Sequence, residues 1–228
     1  MTRKMPLLLS RRTLVVAGAV VPLAGCDLPP GIDFDSVKNS LAVSSGLESA
    51  PGITLEQAGQ IPYASLGYRI GNSAEYIVVL AATTAEGLIW TSADHRALVT
   101  ADGRVTRTAG FDWNLANTSF AQSDPVSTGL QRMTTNVSVT RTLDLRDINR
   151  FGVAVQSIFT PVRKTTIAIL GTNLNVLEVN EDCRCSDMDW NFTNVFWADI
   201  DSGFVWKSVQ TIHPNLGPLS IEVLRPPA

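Results

Sequence analysis

Most of the chain alternates short apolar, β-branched runs with turn-forming residues. From Leu66 onward, runs rich in Val, Ile, Thr, Phe and Trp are separated by Gly, Asp, Asn and Pro, which is typical of short strands. No helical period separates the runs, which favours an antiparallel meander. A flat sheet of this size would expose its edges, so we predict an all-β fold curled into a barrel-like or sandwich architecture. The predicted strands are 66–71, 75–82, 87–92, 96–101, 104–109, 134–144, 151–160, 164–171, 174–180, 190–200, 203–212 and 218–225.

Two tight turns give the meander its register. Asp102-Gly103 lies between two predicted strands and predicts a two-residue hairpin turn, because both central residues of such a turn need positive φ. Asp201-Ser202-Gly203 joins the last long pair in the same way. The polar segment 111–133 is predicted to be an irregular surface excursion with a helical turn near 114–121.

One or two short helices are predicted before the strands. Residues 36–47 have a weakly amphipathic pattern, with Asp35 as a possible N-cap. Thr54 and Gln57 have the spacing of a capping box, which predicts a second helix over 54–60 that ends before Pro62. We expect these helices to cover one mouth or edge of the curled sheet.

The first 25 residues have the pattern of an export signal. Four basic residues precede an apolar run of 11 residues, Thr13 to Leu23, which is far shorter than the ~20 residues of a membrane-spanning helix. The run ends in Leu23-Ala24-Gly25-Cys26, which resembles the lipobox of bacterial lipoproteins, whose cysteine receives the lipid. This predicts a signal peptide over 1–25, lipidation at Cys26, a tether over 26–35 and a single domain over 36–228.

The export route and the target membrane are left open. The pair Arg11-Arg12 resembles a twin-arginine signal, but adjacent arginines also occur in ordinary signal peptides. Several acyl chains on one cysteine would give stable membrane attachment, because each buried CH₂ contributes ~0.8 kcal/mol. We therefore expect a lipid-anchored protein that faces the periplasm.

Charge excludes one class of partner. The chain carries 18 Lys and Arg against 21 Asp and Glu, so it lacks the basic surface that nucleic-acid binding needs. Residues 1–25 contain four of the basic residues and no acidic one, which leaves a net charge of −7 on the mature chain. The mature chain also has no polybasic patch for anionic lipid headgroups, so its membrane attachment should depend on the lipid.

Cysteine and histidine usage predicts no metal site and no cofactor. Cys183 and Cys185 are candidates for a local disulfide, because an exported domain meets an oxidising compartment. Residues two apart in a strand have Cα atoms ~6.6 Å apart, so the bridge would require the chain to bend there. His213 has no second cysteine pair to join it in a zinc site, and His95 is read as a turn residue.

The tryptophans are the candidate contact residues. An indole with neighbouring Asp, Asn or Gln side chains offers a sugar ring both a flat apolar face and hydrogen bonds. Trp197 with Asp199, Trp206 with Gln210, and Trp90 are therefore candidates for contact with a glycan or a partner, the alternative being that the indoles fill the interior. No catalytic set is predicted, since the nucleophile elbow and the phosphate-binding glycine loop are absent from the sequence.

Several ordered segments together carry a family signal. They are Ile61 to Leu66, Trp90 to Asp94, Leu98 to Thr100, Gly103 to Val105, Thr108 to Gly110, Trp197 to Asp199, Gly203 to Gln210 and Ile221 to Pro226. This ordered set resembles the YjbF/GfcB family of lipoproteins, which is associated with group 4 capsule and related exopolysaccharide gene clusters. The resemblance implies an all-β lipoprotein of the outer membrane that assists polysaccharide assembly or export, with partners among exopolysaccharide and secretion proteins and with no catalytic residue. Asp27 departs from this pattern, because it resembles an inner-membrane retention signal.

Three hypotheses for the function follow. The first is a non-enzymatic accessory factor in capsule or exopolysaccharide assembly or export. The second is a carrier that holds a lipid or a lipid-linked glycan in a barrel cavity. The third is a polysaccharide-cleaving enzyme with paired Asp residues. The sequence alone does not reveal the distance between such residues in the folded protein.

Overall fold

The computed structural model describes residues 52–227, so the predicted helix over 36–47, the signal peptide, Cys26 and the tether lie outside the described residues. The domain consists of twelve strands with short helical segments between some of them. The strands are β1 (Ser65–Ile70), β2 (Tyr76–Thr84), β3 (Gly87–Thr91), β4 (Ala97–Ala101), β5 (Arg104–Ala109), β6 (Asn117–Phe120), β7 (Val137–Leu145), β8 (Arg150–Ile169), β9 (Thr172–Cys185), β10 (Trp190–Asp199), β11 (Val205–Gln210) and β12 (Leu219–Arg225).

All twelve strands form one antiparallel sheet that curls into a nearly closed barrel. Their order is β5-β4-β3-β2-β1-β12-β11-β10-β9-β8-β7-β6, so β5 and β6 are the two edges. The edges meet where the chain passes from one to the other: Thr108 N–H donates to the Leu115 carbonyl at 2.8 Å, and Leu115 N–H donates to Thr108 Oγ1 at 2.9 Å. The predicted all-β, barrel-like fold is confirmed.

Both predicted tight turns are present. Asp102 and Gly103 have φ of 51° and 100°, as a two-residue hairpin turn requires. Gly203, with φ of 81°, ends the turn between β10 and β11. These two turns and the turn between β2 and β3 lie at the same end of the barrel, which we call the mouth.

The prediction of two separate strands over 151–160 and 164–171 was wrong, because β8 is one strand of 20 residues. Proline is disfavoured inside a sheet because it cannot donate a ladder hydrogen bond. Pro161 is tolerated for two reasons visible in the register. The β7 partner ends opposite Phe159, and the β8–β9 register shifts between Pro161 and Arg163.

The predicted helical turn near 114–121 was also wrong. Residues Asn117–Phe120 form edge strand β6, which pairs with β7. A short helix, α2 (Pro125–Thr128), follows instead, with Asp124 as N-cap and Pro125 at its first position. The polar composition of this segment hid an edge strand, because a strand with one free side keeps little of the apolar signal.

The predicted helix over 54–60 is confirmed as α1 (Leu55–Gly59), and the capping box of Thr54 and Gln57 is complete. The N-terminal segment lies on the outside of the sheet. Ile61 packs there against Ile77 and Val79. Beneath the segment, β1 carries Gly67, whose missing side chain leaves room: a Cβ there would lie 2.8 Å from Ile53 Cδ1.

Two apolar clusters fill most of the interior. The larger cluster contains side chains of β1–β5 and β12, together with the ends of β7–β10 that lie away from the mouth. It includes Tyr68 and Leu98, both fully buried. The smaller packs Phe159 and Phe196 from β8 and β10 under α2. None of the helices described here has the length and apolar character needed to cross a bilayer.

Candidate functional site

A cavity of about 730 Å³ opens at the mouth of the barrel. We call it the mouth cavity. The turns β2–β3, β4–β5 and β10–β11 form its rim together with α2. Its wall combines aliphatic and aromatic side chains with hydroxyl and amide groups, which is the usual composition of a site for a small organic ligand. The side chains used below are Leu66, Trp90, Thr100, Ser127, Gln131, Trp206, Ser208, Ile221 and Val223.

Trp206 faces the interior in phase with Ser208 and Gln210, two buried residues of β11, and a bulge lies beside it. Trp197 on β10 pairs with Lys207, but the next residue, Ala198, pairs with Val205, so Trp206 is the extra residue of β11. A bulge bends the strand and re-aims a side chain, and here it brings Val205 into the smaller core cluster. Trp206 packs against the larger core cluster and lines the cavity, half-buried, with its ring against Phe204 at 4.7 Å between centroids.

Trp90 also lines the cavity but is held more firmly. Its side chain is buried, and its Nε1–H donates to Thr100 Oγ1 at 2.8 Å. The bond joins β3 to β4 and uses the only polar atom of the indole. Trp90 is therefore part of the cavity wall, while Trp206 is the more accessible of its two tryptophans.

Trp197 lies on the opposite face of the sheet from this cavity. Its neighbours Phe196 and Ala198 point into the core, so Trp197 faces outward. The Lys207 ammonium lies 5.7 Å from the Trp197 ring and also pairs with Glu222 at 2.5 Å. The structure thus separates Trp197 from Trp206, which the sequence had grouped as contact candidates.

Asp199 stabilises the turn that forms part of the rim. Its Oδ1 accepts the backbone N–H groups of Asp201 at 3.1 Å and Ser202 at 2.8 Å. These bonds, first of all the one from Ser202, favour the ionised form and lower the pKa of Asp199. The role of Asp199 visible in the structure is to hold the β10–β11 turn, next to the cavity.

Gln210 has a different place from the one the sequence suggested, because it is buried and fully hydrogen-bonded. Its Oε1 accepts Val105 N–H at 3.0 Å, and its Nε2 donates to the Gly103 carbonyl at 2.8 Å and to Ser208 Oγ at 2.9 Å. The amide pairs with edge strand β5 as a neighbouring strand would. Gln210 therefore fastens β5 across the interior to β11, and its amide is not free for a ligand.

A second interior region contains charges. Arg104 on β5 donates from Nη2 and Nε to Asp124 at 3.1 and 2.5 Å, and from Nη1 to Glu181 on β9 at 3.0 Å. Glu181 also accepts from Arg141 on β7 and from Asn194 on β10 at 2.7 Å. We call these five residues the ion cluster. All five are buried, and two cations balance two anions.

Aromatic rings surround the central cation of this cluster. The Arg104 guanidinium lies 5.2 to 5.7 Å from the ring centroids of Phe120, Phe159 and Phe196, distances at which cation–π attraction contributes. Burial by itself would raise the pKa of Glu181, but the charges of Arg104 and Arg141 outweigh it and hold the pKa at about 2. Glu181 is therefore ionised at neutral pH, and because β5 is an edge strand the cluster also ties one edge of the sheet to its far side.

The predicted disulfide between Cys183 and Cys185 is not formed, and both thiols are free and buried. The predicted bend is missing: β9 pairs with β10 in unbroken register from Val176 to Cys185, so both thiols face inward from an extended strand. Burial raises the pKa of Cys183 to about 11, which keeps that thiol protonated. Its Sγ lies 3.5 Å from Arg141 Nη2, beside the ion cluster.

The two histidines serve local structure. His95 has φ of 64° in the turn between β3 and β4. His213 is buried, stacks on Trp113 at 5.2 Å and accepts Asn215 N–H at Nδ1, and its burial lowers its pKa. Within residues 52–227, no three His, Cys, Asp or Glu side chains are grouped to hold a metal ion.

The chain is similar to known proteins over most of its length. Residues 34–224 match the model of a family described as "Group 4 capsule polysaccharide lipoprotein gfcB, YjbF". The chain belongs to the YjbF family. It is 26% identical over 216 residues to the uncharacterised lipoprotein GfcB of Escherichia coli K12, which covers 94% of this chain and 99% of the relative.

The fold of this YjbF-family chain is also found in a crystal structure. The hypothetical lipoprotein YmcC from Escherichia coli K12 superposes with a TM-score of 0.73 at 23% identity. The match covers 87% of this chain and 98% of YmcC, so the two share the same fold over almost the whole domain.

The ion cluster is the feature of this YjbF-family chain that sequence reasoning missed. Arg104 and Glu181 are 77 positions apart, so no local pattern joins them. A signal was nevertheless present. Arg141 alternates with Val139 and Leu143, and Glu181 with Val179, so each charge occupies an inward position of its strand. Charged residues in phase with an apolar row indicate a buried pair.

Proposed function

We propose that the protein is a non-enzymatic accessory factor in capsule or exopolysaccharide assembly or export, and that it contacts the polysaccharide at the mouth cavity. Membership of a family described by capsule polysaccharide supports the process. The observation that carries the contact is the cavity itself, which exposes Trp206 beside hydroxyl and amide groups. Sugars bind to surfaces of this kind, because their C–H faces pack on an indole while their hydroxyls need hydrogen-bond partners.

The proposed location is the cell envelope, on the periplasmic side of a membrane, with a lipid at Cys26 as the anchor. The family description as a lipoprotein and the lipobox both support this. The outer membrane is favoured by the family resemblance, and Asp27 keeps the inner membrane as the alternative. The expected partners are the polysaccharide and proteins of its secretion machinery.

A carrier of lipid or of lipid-linked glycan is the second candidate. The aliphatic side chains of Leu66, Ile221 and Val223 in the cavity wall favour it, since they would suit an acyl chain. Finding lipid bound to the purified protein by mass spectrometry would support this candidate over the first.

Of the three hypotheses, the enzyme hypothesis has the least support from the structure. A glycosidase needs one carboxyl group whose pKa is raised so that it can donate a proton. Asp124 and Glu181, the two buried carboxylates of the ion cluster, are both paired with arginine, and the pKa of Glu181 is lowered to about 2. The cavity carboxylates Glu86 and Asp102 are exposed on the rim.

The test is binding of the full-length protein, solubilised in detergent, to the polysaccharide of its own source strain. Saturable binding that Trp206→Ala weakens about tenfold, a loss of ~1.4 kcal/mol, would support the proposed contact. Trp197→Ala is the matched control, because this indole lies outside the cavity and should leave binding unchanged. Binding lost only in the Trp197 variant, or no binding at all, would contradict it.

A further inference from the structure

The mouth cavity is blind. Its wall residues Leu66, Trp90 and Val223 belong to the larger core cluster, which continues below them through Tyr68 and Leu98. These two side chains have relative exposures of 0%. An interior packed to this degree leaves no passage for a chain of sugar rings.

One side of the cavity is closed by the contact of β5 and the β4–β5 turn with β11. Gln210 fastens β5 to β11 across the interior, and a Cβ at Gly103 would lie 2.5 Å from Val205 Cβ, so the β4–β5 turn rests directly on β11. Beyond this seam, the ion cluster and the smaller apolar cluster occupy the rest of the barrel. Within residues 52–227, the packed floor and this seam leave the mouth as the way by which a ligand enters the cavity.

The cavity nevertheless has the size of a real binding site. Its volume of about 730 Å³ lies in the range of ~300–1,000 Å³ of pockets that enclose drug-sized ligands. A short oligosaccharide is a ligand of that class. Trp206 offers it an apolar face, and Ser127, Gln131 and Ser208 bring hydroxyl and amide groups to the same wall.

We propose, building on the function proposed above, that the mouth cavity binds the end of a glycan chain and not an internal segment. An internal segment would have to fold back on itself to place a sugar at the floor of the cavity and still leave by the same mouth. A chain end enters with its last sugars and leaves the rest of the polymer outside. The protein would thus detect or hold chain termini.

The test compares polymer length at equal mass. The strain's polysaccharide is cleaved to fragments of about one tenth of its mean length, and binding to the full-length detergent-solubilised protein is measured by calorimetry. If ends are bound, half-saturation should occur at about one tenth of the mass concentration, because the number of ends has risen about tenfold. Half-saturation at an unchanged mass concentration would overturn end binding while leaving polysaccharide contact intact.

Two variants locate the binding. Ser127 lies on the cavity wall and is exposed, so Ser127→Trp should obstruct the mouth and weaken fragment binding at least about tenfold. Ser123→Trp is the matched control, since Ser123 is exposed in the same segment but outside the cavity. Thermal unfolding checks that both variants fold. Equal binding by the two variants would overturn the assignment to this cavity.

A final arm identifies which end is bound. Borohydride reduction opens the ring at the reducing end of each fragment and leaves the other end intact. Binding that survives reduction identifies the non-reducing end as the ligand, and binding that is lost identifies the reducing end. Once the length comparison has shown that ends are bound, either result assigns the end, whereas fragments that do not bind while intact polymer does would contradict a site for chain ends.

Discussion

The two sides of the barrel interior differ in how they are packed. On the side of the mouth cavity, the interior beneath the rim is apolar and the space above it stays open. On the other side, the space is filled by the ion cluster and three phenyl rings. Burial of charges is costly unless each charge is paired and hydrogen-bonded, and here every charge is. The comparison indicates that the ion cluster maintains the shape of the barrel, while the cavity is free for function.

The largest expected effect comes from breaking the ion cluster. Glu181→Gln keeps the side-chain size but removes the charge that balances Arg104 and Arg141, so it should lower the free energy of unfolding by ~3–5 kcal/mol. Urea denaturation measures this directly. Glu178→Gln is the control on the same strand: Glu178 pairs with exposed Arg163 and should cost under ~1 kcal/mol. Similar losses in both variants would contradict the special role of the buried cluster.

Acid should weaken the same region. The pKa of Glu181 is lowered on folding from 4.5 to about 2, so its contribution to stability is present above pH 4.5 and is lost as the pH falls toward 2. The loss should be about 3 kcal/mol across that window. Unfolding curves at several pH values should show a smaller loss in Glu181→Gln than in the unaltered protein, and parallel losses would contradict this.

The seam between the two sides is the next target. Gln210→Ala leaves Val105 N–H of edge strand β5 and the Gly103 carbonyl of the turn before it without their partner, which should cost ~1–3 kcal/mol. Hydrogen exchange at the Val105 amide should accelerate at the same time. Gln156→Ala, at an exposed position of β8, is the matched control and should change stability by less than ~0.5 kcal/mol. An unchanged Val105 amide would show that Gln210 does not fasten the edge.

The smallest effect is expected in the cavity, and it sharpens the contrast. Ser127→Trp adds a large side chain where space is open, so stability should change by less than ~0.5 kcal/mol. Ser157→Leu adds volume on the filled side, where Ser157 is buried and accepts a hydrogen bond from Arg141 at 2.9 Å, and should cost ~1–3 kcal/mol. Thermal unfolding of the two variants compares the regions. An equal cost would mean that the cavity is as tightly packed as the ion cluster.

Most of the meander could be predicted because its signals are local. The turns at Asp102-Gly103 and Gly203 depend on positive φ, and the capping box of α1 on residues three apart, so sequence carries them. The failures have physical causes of their own. Pro161 marked the end of a strand that in fact continues, because its neighbour β7 stops before it, and β6 was too polar to be read as an edge strand.

The faces of the candidate contact residues depend on which alternate positions of each strand point inward. Trp197 points outward with its pairing partner Lys207, whereas Trp206 points inward in phase with Ser208 and Gln210. Gln210 was predicted to contact a ligand, and instead it replaces a missing strand partner for β5. The sequence proposed these residues as contact candidates, and the pairing of β10 with β11 determines that Trp206, and not Trp197, lines the cavity.

The sequence by itself determined the all-β class and the family, and it predicts an export signal with a lipobox at Cys26, because each depends on short-range order along the chain. Only the tertiary structure decided how the sheet closes and where it stays open. Closure depends on contacts between residues that are distant in the sequence. Arg104 and Glu181 are separated by 77 positions, and Val105 and Gln210 by 105 positions. Such contacts arise when the sheet curls and its edges meet, so no local pattern of residues can specify them.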